Sequence, residues 1–168
     1  MNVVVREYKE TDYDFCVILS RELAQHHADI YSEPSIAIKD QAKWFDDLMQ
    51  KDGYAGMWLA EVNNKVVGLC GLFSYGEEGE IEPVVVAASS RNKGIGTRLI
   101  RYVVDEAKKR NIRYLSIRPV ARNKEAIALF TRLGFNVVGY IDLFQDLSDK
   151  KDREWKSDFL VHGVQLRY

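Results

Sequence analysis

The residues best suited to chemistry lie in the stretch RNKGIGT, positions 91–97. Gly94 and Gly96 stand one residue apart, Arg91 and Lys93 precede them, and Thr97 adds a hydroxyl where an apolar helical pattern begins. A helix start carries free N–H donors and a partial positive charge. Glycines let the backbone close on an anion and turn its amides toward it. A strand, a glycine loop and a helix in that order make a phosphate cradle. The spacing fits neither familiar phosphate loop: the dinucleotide fingerprint needs glycine where Leu99 stands, and the P-loop needs four residues between its glycines and then lysine. The competing reading is a plain tight turn between strand and helix.

Charge distribution favours the anion site. Between Arg91 and Lys124 there are eleven Lys/Arg against two Asp/Glu, leaving thirteen basic and twenty-three acidic residues elsewhere. Such a segment suits an anionic ligand, or a solvated basic helix face. Other chemistry-bearing residues are scattered. Glu82 ends an acidic run with Glu77, Glu78 and Glu80. Cys16 and Cys70 sit in apolar segments and read as buried thiols of a reducing cytoplasm. Of three histidines, His26 and His27 are adjacent and point to different helix faces, so no metal site is expected.

The elements that must position these residues follow from pattern. Residues 2–7 read as a strand. Thr11 opens TDYD, a helix-start signature, with Phe15, Ile18, Leu19 and Leu23 inward to about Ala28, before Pro34 breaks the helix. A second helix covers roughly 39–51, with Ala42, Phe45, Leu48 and Met49 on one side. The runs MWLAEV and KVVGLCGLFSY flank a hairpin turn at Asn63–Asn64, and 76–79 is the next turn. EIEPVVVAA is a strand that should bulge or lose pairing near Pro83. TRLIRYVVDEAKKR is an amphipathic helix burying Leu99, Ile100, Val103, Val104 and Ala107. YLSIRPV is a strand, Asn123 caps a helix ending at Gly134, NVVGYIDLF is a strand, 145–158 a polar loop, and FLVHGVQLRY a closing strand. This is an α/β or α+β layered domain over 1–168 with one mixed sheet. The opening MNVVVREYKE lacks a secretion signal's features and no apolar run spans a bilayer, so a cytoplasmic protein off the membrane is expected.

The stretch VVVAASSRNKGIGTRLI resembles the acetyl-CoA signature of the GNAT family of N-acetyltransferases: a strand, then Arg/Gln-x-x-Gly-x-Gly/Ala, then a helix. Arg91, Gly94 and Gly96 match it. The family's second motif, Asn-x-x-Ala-x-x-Leu-Tyr-x-x-x-Gly-Phe, is met by Asn123, Ala126, Leu129, Gly134 and Phe135. The two motifs span 80–135. The resemblance implies the acyl-CoA N-acyltransferase fold, a single mixed, centrally splayed β-sheet flanked by helices, with acetyl-CoA as cosubstrate. Backbone amides of Asn92, Lys93, Gly94, Ile95, Gly96 and Thr97 would hold its diphosphate. Its pantetheine arm would pair with the backbone of Val84, Val85 and Val86, a backbone N–H near Val85 facing the reacting carbonyl. Asn123 would contact the cofactor, cap its helix, or do both. Arg98 and Lys124 would meet the adenosine phosphates or simply be solvated.

For the chemistry, Glu82 is the expected base, directly or through water, with a surface carboxylate as its alternative. The family's tyrosine is Phe130 here, which has no proton to give. Tyr140 or Tyr75 would then be the acid, or the thiolate leaves unaided. The acceptor, a small-molecule amine or a protein amino group, should sit near Glu22, His26, His27, Asp29, Tyr31, Glu33 and Trp44, whose net negative charge suits a cation. A homodimer through the C-terminal strands is a family habit. The competing classes are an acyl-CoA-binding regulatory module without turnover, motivated by Phe130, and a nucleic-acid binder using 91–124. The acidic remainder and the lack of an aromatic-rich basic face oppose the latter.

Overall fold

The computed structural model describes residues 2–145, 147 and 154–168. Four antiparallel neighbours, β1 (Val3–Glu7), β2 (Tyr54–Val62), β3 (Lys65–Tyr75) and β4 (Glu78–Val86), are joined by a parallel β5 (Tyr114–Ile117), in the order β1-β2-β3-β4-β5. Helices α1 (Tyr13–Tyr31) and α2 (Gln41–Gln50) cover one face; α3 (Ile95–Lys109) and α4 (Lys124–Arg132) lie toward the other. Strand alternation sorts the core. Met57, Leu59, Leu69 and Phe73 pack under Cys16, Leu19 and Phe45, whereas Trp58, Ala60 and Leu72 pack under Leu99, Ile100 and Val103.

Local chemistry explains most elements. Asp40 caps α2 by accepting from the amides of Ala42 (3.0 Å) and Lys43 (3.1 Å). Asn63 and Asn64 both take positive φ, 51° and 61°, the geometry of a two-residue hairpin. Gly94, at φ 77°, precedes α3.

Pro83 produces the expected irregularity. Cys70 pairs with Val84 and Leu72 with Ile81, so Glu82 and Pro83 bulge opposite Gly71. A Cβ on Gly71 would lie 2.2 Å from the carbonyl oxygen of Glu82. Gly71→Ala is therefore expected to lower stability by about 2–3 kcal/mol, as overpacking does, and to disturb Glu82; urea denaturation with a parallel activity assay checks both. Beyond the bulge β4 loses its parallel neighbour. Its pairing with β5 stops at Ile81–Ile117, and the strand's last five residues leave an open edge.

Several expectations are corrected. Thr11 does not cap α1; a 3-10 turn at Glu10–Asp12 precedes it. The Asp12 carboxylate instead accepts from both terminal nitrogens of Arg6 (2.8 Å each) and from the amide of Lys9 (2.9 Å). Phe15 and Ile18 are about half exposed, because the buried residues of α1 are Cys16, Val17, Leu19, Ser20, Ala24 and Ala28. Ser20 is tolerated there by donating to the carbonyl of Cys16 at 2.8 Å.

Residues 136–144 form no strand, and Val137 and Tyr140 are 88% and 94% exposed. A β-prone run becomes a strand only beside a ladder partner, and this one has none among the described residues. FLVHGVQLRY is a hairpin, β6 (Phe159–Val161) and β7 (Val164–Leu166), because His162 and Gly163 both take positive φ. Among the described residues these two strands pair only with each other, apart from the main sheet. The polar loop expected at 145–158 falls largely on 146 and 148–153, outside the described residues.

The Arg6–Asp12 pair carries a pH signature. Hydrogen bonding from Arg6 holds the Asp12 carboxyl below its ordinary value, against the opposing effect of burial. A depressed folded pKa gives stability that is present above the unfolded value, about 3.9, and lost as pH falls through the folded one. Arg6→Met should cost about 3 kcal/mol at pH 7 by stranding a buried carboxylate. The gap from wild type should narrow below about pH 4 as Asp12 protonates; urea melts at each pH would expose a pH-independent gap and so dismiss the pair as its cause.

Candidate functional site

The glycine loop closes one side of a groove of about 560 Å³ that runs between the open edge of β4 and α4. Its floor is the head of α3. The first amides of a helix have no partner inside it. Here the amides of Asn92, Lys93, Gly94, Ile95, Gly96 and Thr97 donate to no acceptor among the described residues; the next one, Arg98, returns to the carbonyl of Gly94 at 3.1 Å. Asn92 (φ 60°) and Gly94 (φ 77°) are the left-handed steps that turn the loop. A Cβ on Gly96 would meet Leu129 and Val86 at 3.6 Å each. Packing therefore does not demand glycine there, and the space it leaves opens into the groove. An amide set without partners beside that space fits the diphosphate of acetyl-CoA.

The loop's two cations are committed locally. Arg91 donates through Nε to the carbonyl of Val86 at 3.1 Å, and Lys93 donates to the carbonyl of Ser89 at 2.9 Å. They brace the loop rather than project from it. Glu22 braces it from α1, accepting from the amide of Ala88 at 2.7 Å.

Register sets the polarity of the β4 edge. The amide of Ala87 donates to Val67 at 2.9 Å. Backbone groups alternate sides along a strand, so Val85 and Ala87 spend theirs on β3 while Val84 and Val86 aim theirs at the groove. Of the amides near Val85, the ones open to the groove are therefore those of Val84 and Val86. The remaining wall is α4. Asn123 caps it, accepting from the amide of Ala126 at 3.0 Å, and also lines the groove. Phe130, buried, fills the position of the family's tyrosine.

His26 joins the same groove, its Nδ1 3.5 Å from Arg91. Burial, then the Arg91 charge, push its pKa down, with Glu125 opposing. Nδ1 facing a guanidinium is an acceptor, which leaves the imidazole proton on Nε2. Glu82 lies just before this wall, on the bulge. Its carboxylate accepts from Lys51 at 2.7 Å, and Lys51 also sits 4.7 Å above the ring of Phe73. Both partners are partly exposed, on the face that α1 and α2 cover.

The structure does not bring the proposed acids in. Tyr140 is 94% exposed on a segment without secondary structure, and Tyr75 turns its hydroxyl to the carbonyl of Asp52 at 3.2 Å. Neither lines the groove, and nor do Arg98 and Lys124. Of the expected acceptor region, Tyr31 lies under the guanidinium of Arg122 (4.7 Å), and Trp44 packs against the α1–α2 core. Asp29 accepts from Gln25 at 2.7 Å and borders a second hollow between α1 and residues 34–38. Residues missed from sequence are Glu125, Ala128 and Arg132 on the groove face of α4. Their i, i+3, i+7 spacing marks a common helix face that the apolar pattern overshadowed. Among the described residues no cluster of His, Cys, Asp or Glu could hold a metal ion, and no helix is long and apolar enough to cross a membrane.

Comparison with known proteins agrees with this geometry. The model of the acetyltransferase (GNAT) family matches residues 20–135. An uncharacterised N-acetyltransferase of Methanocaldococcus jannaschii is 36% identical over 104 residues, 58% of this chain and 46% of that protein, so the match spans less than half of its length. An L-methionine sulfoximine/L-methionine sulfone acetyltransferase of Pseudomonas aeruginosa is 22% identical over 147 residues, 83% of each chain. Among solved structures, an N-acetyltransferase of Thermoplasma acidophilum in complex with coenzyme A superposes with a TM-score of 0.68 at 15% identity, over 99% of this chain and 98% of that one.

Proposed function

This chain belongs to the acetyltransferase (GNAT) family, and on that premise we propose that it moves the acetyl group of acetyl-CoA onto a primary amine, with both substrates bound at once. The observation that carries the reading is the run of unpartnered amides at 92–97, set where β4 and β5 part. Bound there, acetyl-CoA supplies the thioester and departs as free thiol. The chain's own groups do the rest. The amides of 92–97 anchor the diphosphate. The outward groups of Val84 and the outward N–H of Val86, whose carbonyl Arg91 takes, align the pantetheine arm as an added strand, and one of these N–H groups faces the carbonyl oxygen as negative charge grows on it.

An alkylammonium, pKa about 10, must lose a proton before its nitrogen can attack. Glu82 accepts that proton, directly or through a water, and Lys51 holds its carboxylate in place. Phe130 donates nothing, so the sulfur leaves as thiolate and takes its proton from solvent; a free thiol's pKa of about 8.5 makes this a fair leaving group. The acceptor approaches on the α1–α2 side, where Glu82 lies. Its class is an amine, as a small molecule or a protein amino group.

The test is thioester loss with matching thiol release across a panel of amino acids, polyamines, aminoglycosides and peptide N-termini. Amine-dependent thiol release is expected for at least one of them. Tight acetyl-CoA binding with no amine-dependent release would instead favour the regulatory module that Phe130 suggests.

A further inference from the structure

Where β4 and β5 part, Glu80, Glu82, Lys51 and Arg118 share one face of the sheet. Ile81 and Ile117 are the last ladder partners, and Glu82 and Arg118 come next on their strands. Neighbouring strands lie about 4.8 Å apart, and side chains alternate between the two faces. Leu115 and Ile117 pack into the α3 core, so Ser116 and Arg118 turn to the side of α1 and α2. Glu80 turns the same way, because its ladder partner Phe73 belongs to the α1–α2 core. Lys51 joins them through its 2.7 Å bond to Glu82. This side of β5 is open to solvent: Tyr114, Ser116 and Arg118 are exposed.

Arg118 is held but not used up. Its Nε lies 3.3 Å from the carboxylate of Glu80, whose side chain is 9% exposed against 68% for Arg118. Among the described residues its two terminal nitrogens have no hydrogen-bond or ion-pair partner. A guanidinium gripped through Nε keeps a planar pair of N–H donors for a carboxylate. Formal charges at this mouth cancel, Glu80 and Glu82 against Lys51 and Arg118. A polycation would meet two cations beside the carboxylate that must deprotonate it. Acidic residues expected to draw one are occupied elsewhere: Glu22 holds the amide of Ala88, and Asp29 holds Gln25 beside the other hollow. A zwitterion complements a patch of both signs.

On the acetyl-transfer reading above, we infer that the acceptor is a free α-amino acid: Arg118 takes its carboxylate, which leaves its amino group beside Glu82. Arg118 is a specificity residue and moves no proton. Peptide N-termini, polyamines and aminoglycosides lack that adjacent carboxylate.

Thiol release from acetyl-CoA, followed with the common L-amino acids, their carboxamides and spermidine, tests this. At least one amino acid should turn over, with kcat/KM about tenfold or more above that of its carboxamide, the scale of one charge-assisted contact. The carboxamide's amine, with a pKa of about 8, loses its proton more readily, so amine reactivity alone would favour the carboxamide. Arg118→Gln should raise KM for the amino acid to the carboxamide's level, with little change in kcat or in acetyl-CoA affinity. Arg113→Gln, the same charge loss at the other end of β5, should keep the preference. The wild-type comparison decides the substrate class even if Arg118→Gln fails to fold. Turnover of spermidine but of no amino acid, equal kcat/KM for acid and carboxamide, or a preference that survives Arg118→Gln would overturn the inference and leave acetyl transfer standing. No amine-dependent release from any of these would overturn the inference, and none from aminoglycosides and peptides either would overturn acetyl transfer with it.

Discussion

Gly96→Glu is expected to abolish acetyl-CoA binding and leave the protein folded. The two halves of this expectation come from one position. A Cβ there has Leu129 and Val86 at 3.6 Å, ordinary contact distance, and the residue sits in the first turn of α3, where a carboxylate is favoured by the helix dipole. The melting temperature should move by only a few degrees. The added carboxylate would, however, enter the space that the diphosphate must occupy. At an effective dielectric of about 20, two like charges about 4 Å apart repel by about 4 kcal/mol, close to a thousandfold in affinity. Titration calorimetry beside a thermal melt measures both. An unfolded variant would show that Gly96 is a packing residue; unchanged affinity would show that the amides of 92–97 hold nothing.

Glu82→Gln should lower kcat/KM by about a hundredfold or more at neutral pH, within the range for loss of a general base. Acetyl-CoA affinity should not change, because Glu82 precedes the groove and lines none of it. Stability should change by less than about 1 kcal/mol, since the Lys51 pair is partly exposed. That triple outcome separates a base from the competing reading, a surface ion pair in an acidic run. If activity survives the substitution, Glu82 is that ion pair and the proton goes elsewhere.

Much of the site was legible in the sequence because its signals are local. Gly94 and Gly96 announced a turn that leaves its amides open, Pro83 a break in the β4 ladder, Asn123 a cap, and Asn63–Asn64 a turn; each is a property of one or two residues. What was not legible depended on partners. The apolar residues of α1 lie on two faces, and only the sheet decides that Cys16 and Ser20 go inward while Phe15 and Ile18 do not. The run 136–144 has strand composition but pairs with no backbone among the described residues. Arg91 and Lys93 looked like phosphate ligands by charge, and only geometry shows them spent on the carbonyls of Val86 and Ser89. Tyr140 was selected for its hydroxyl, a choice that assumed a strand the chain does not form. Register, too, lies beyond composition: that the backbone amides of Val84 and Val86, rather than that of Val85, aim at the groove follows from the Ala87–Val67 hydrogen bond.

The most direct measurement is a titration of the nitrogen-15-labelled protein with acetyl-CoA, followed by backbone amide resonances. The amides of Asn92 to Thr97 should show the largest shifts, saturating together, with those of Val84 and Val86 following. Saturable binding that leaves 92–97 unmoved and perturbs amides elsewhere would contradict the account at its base.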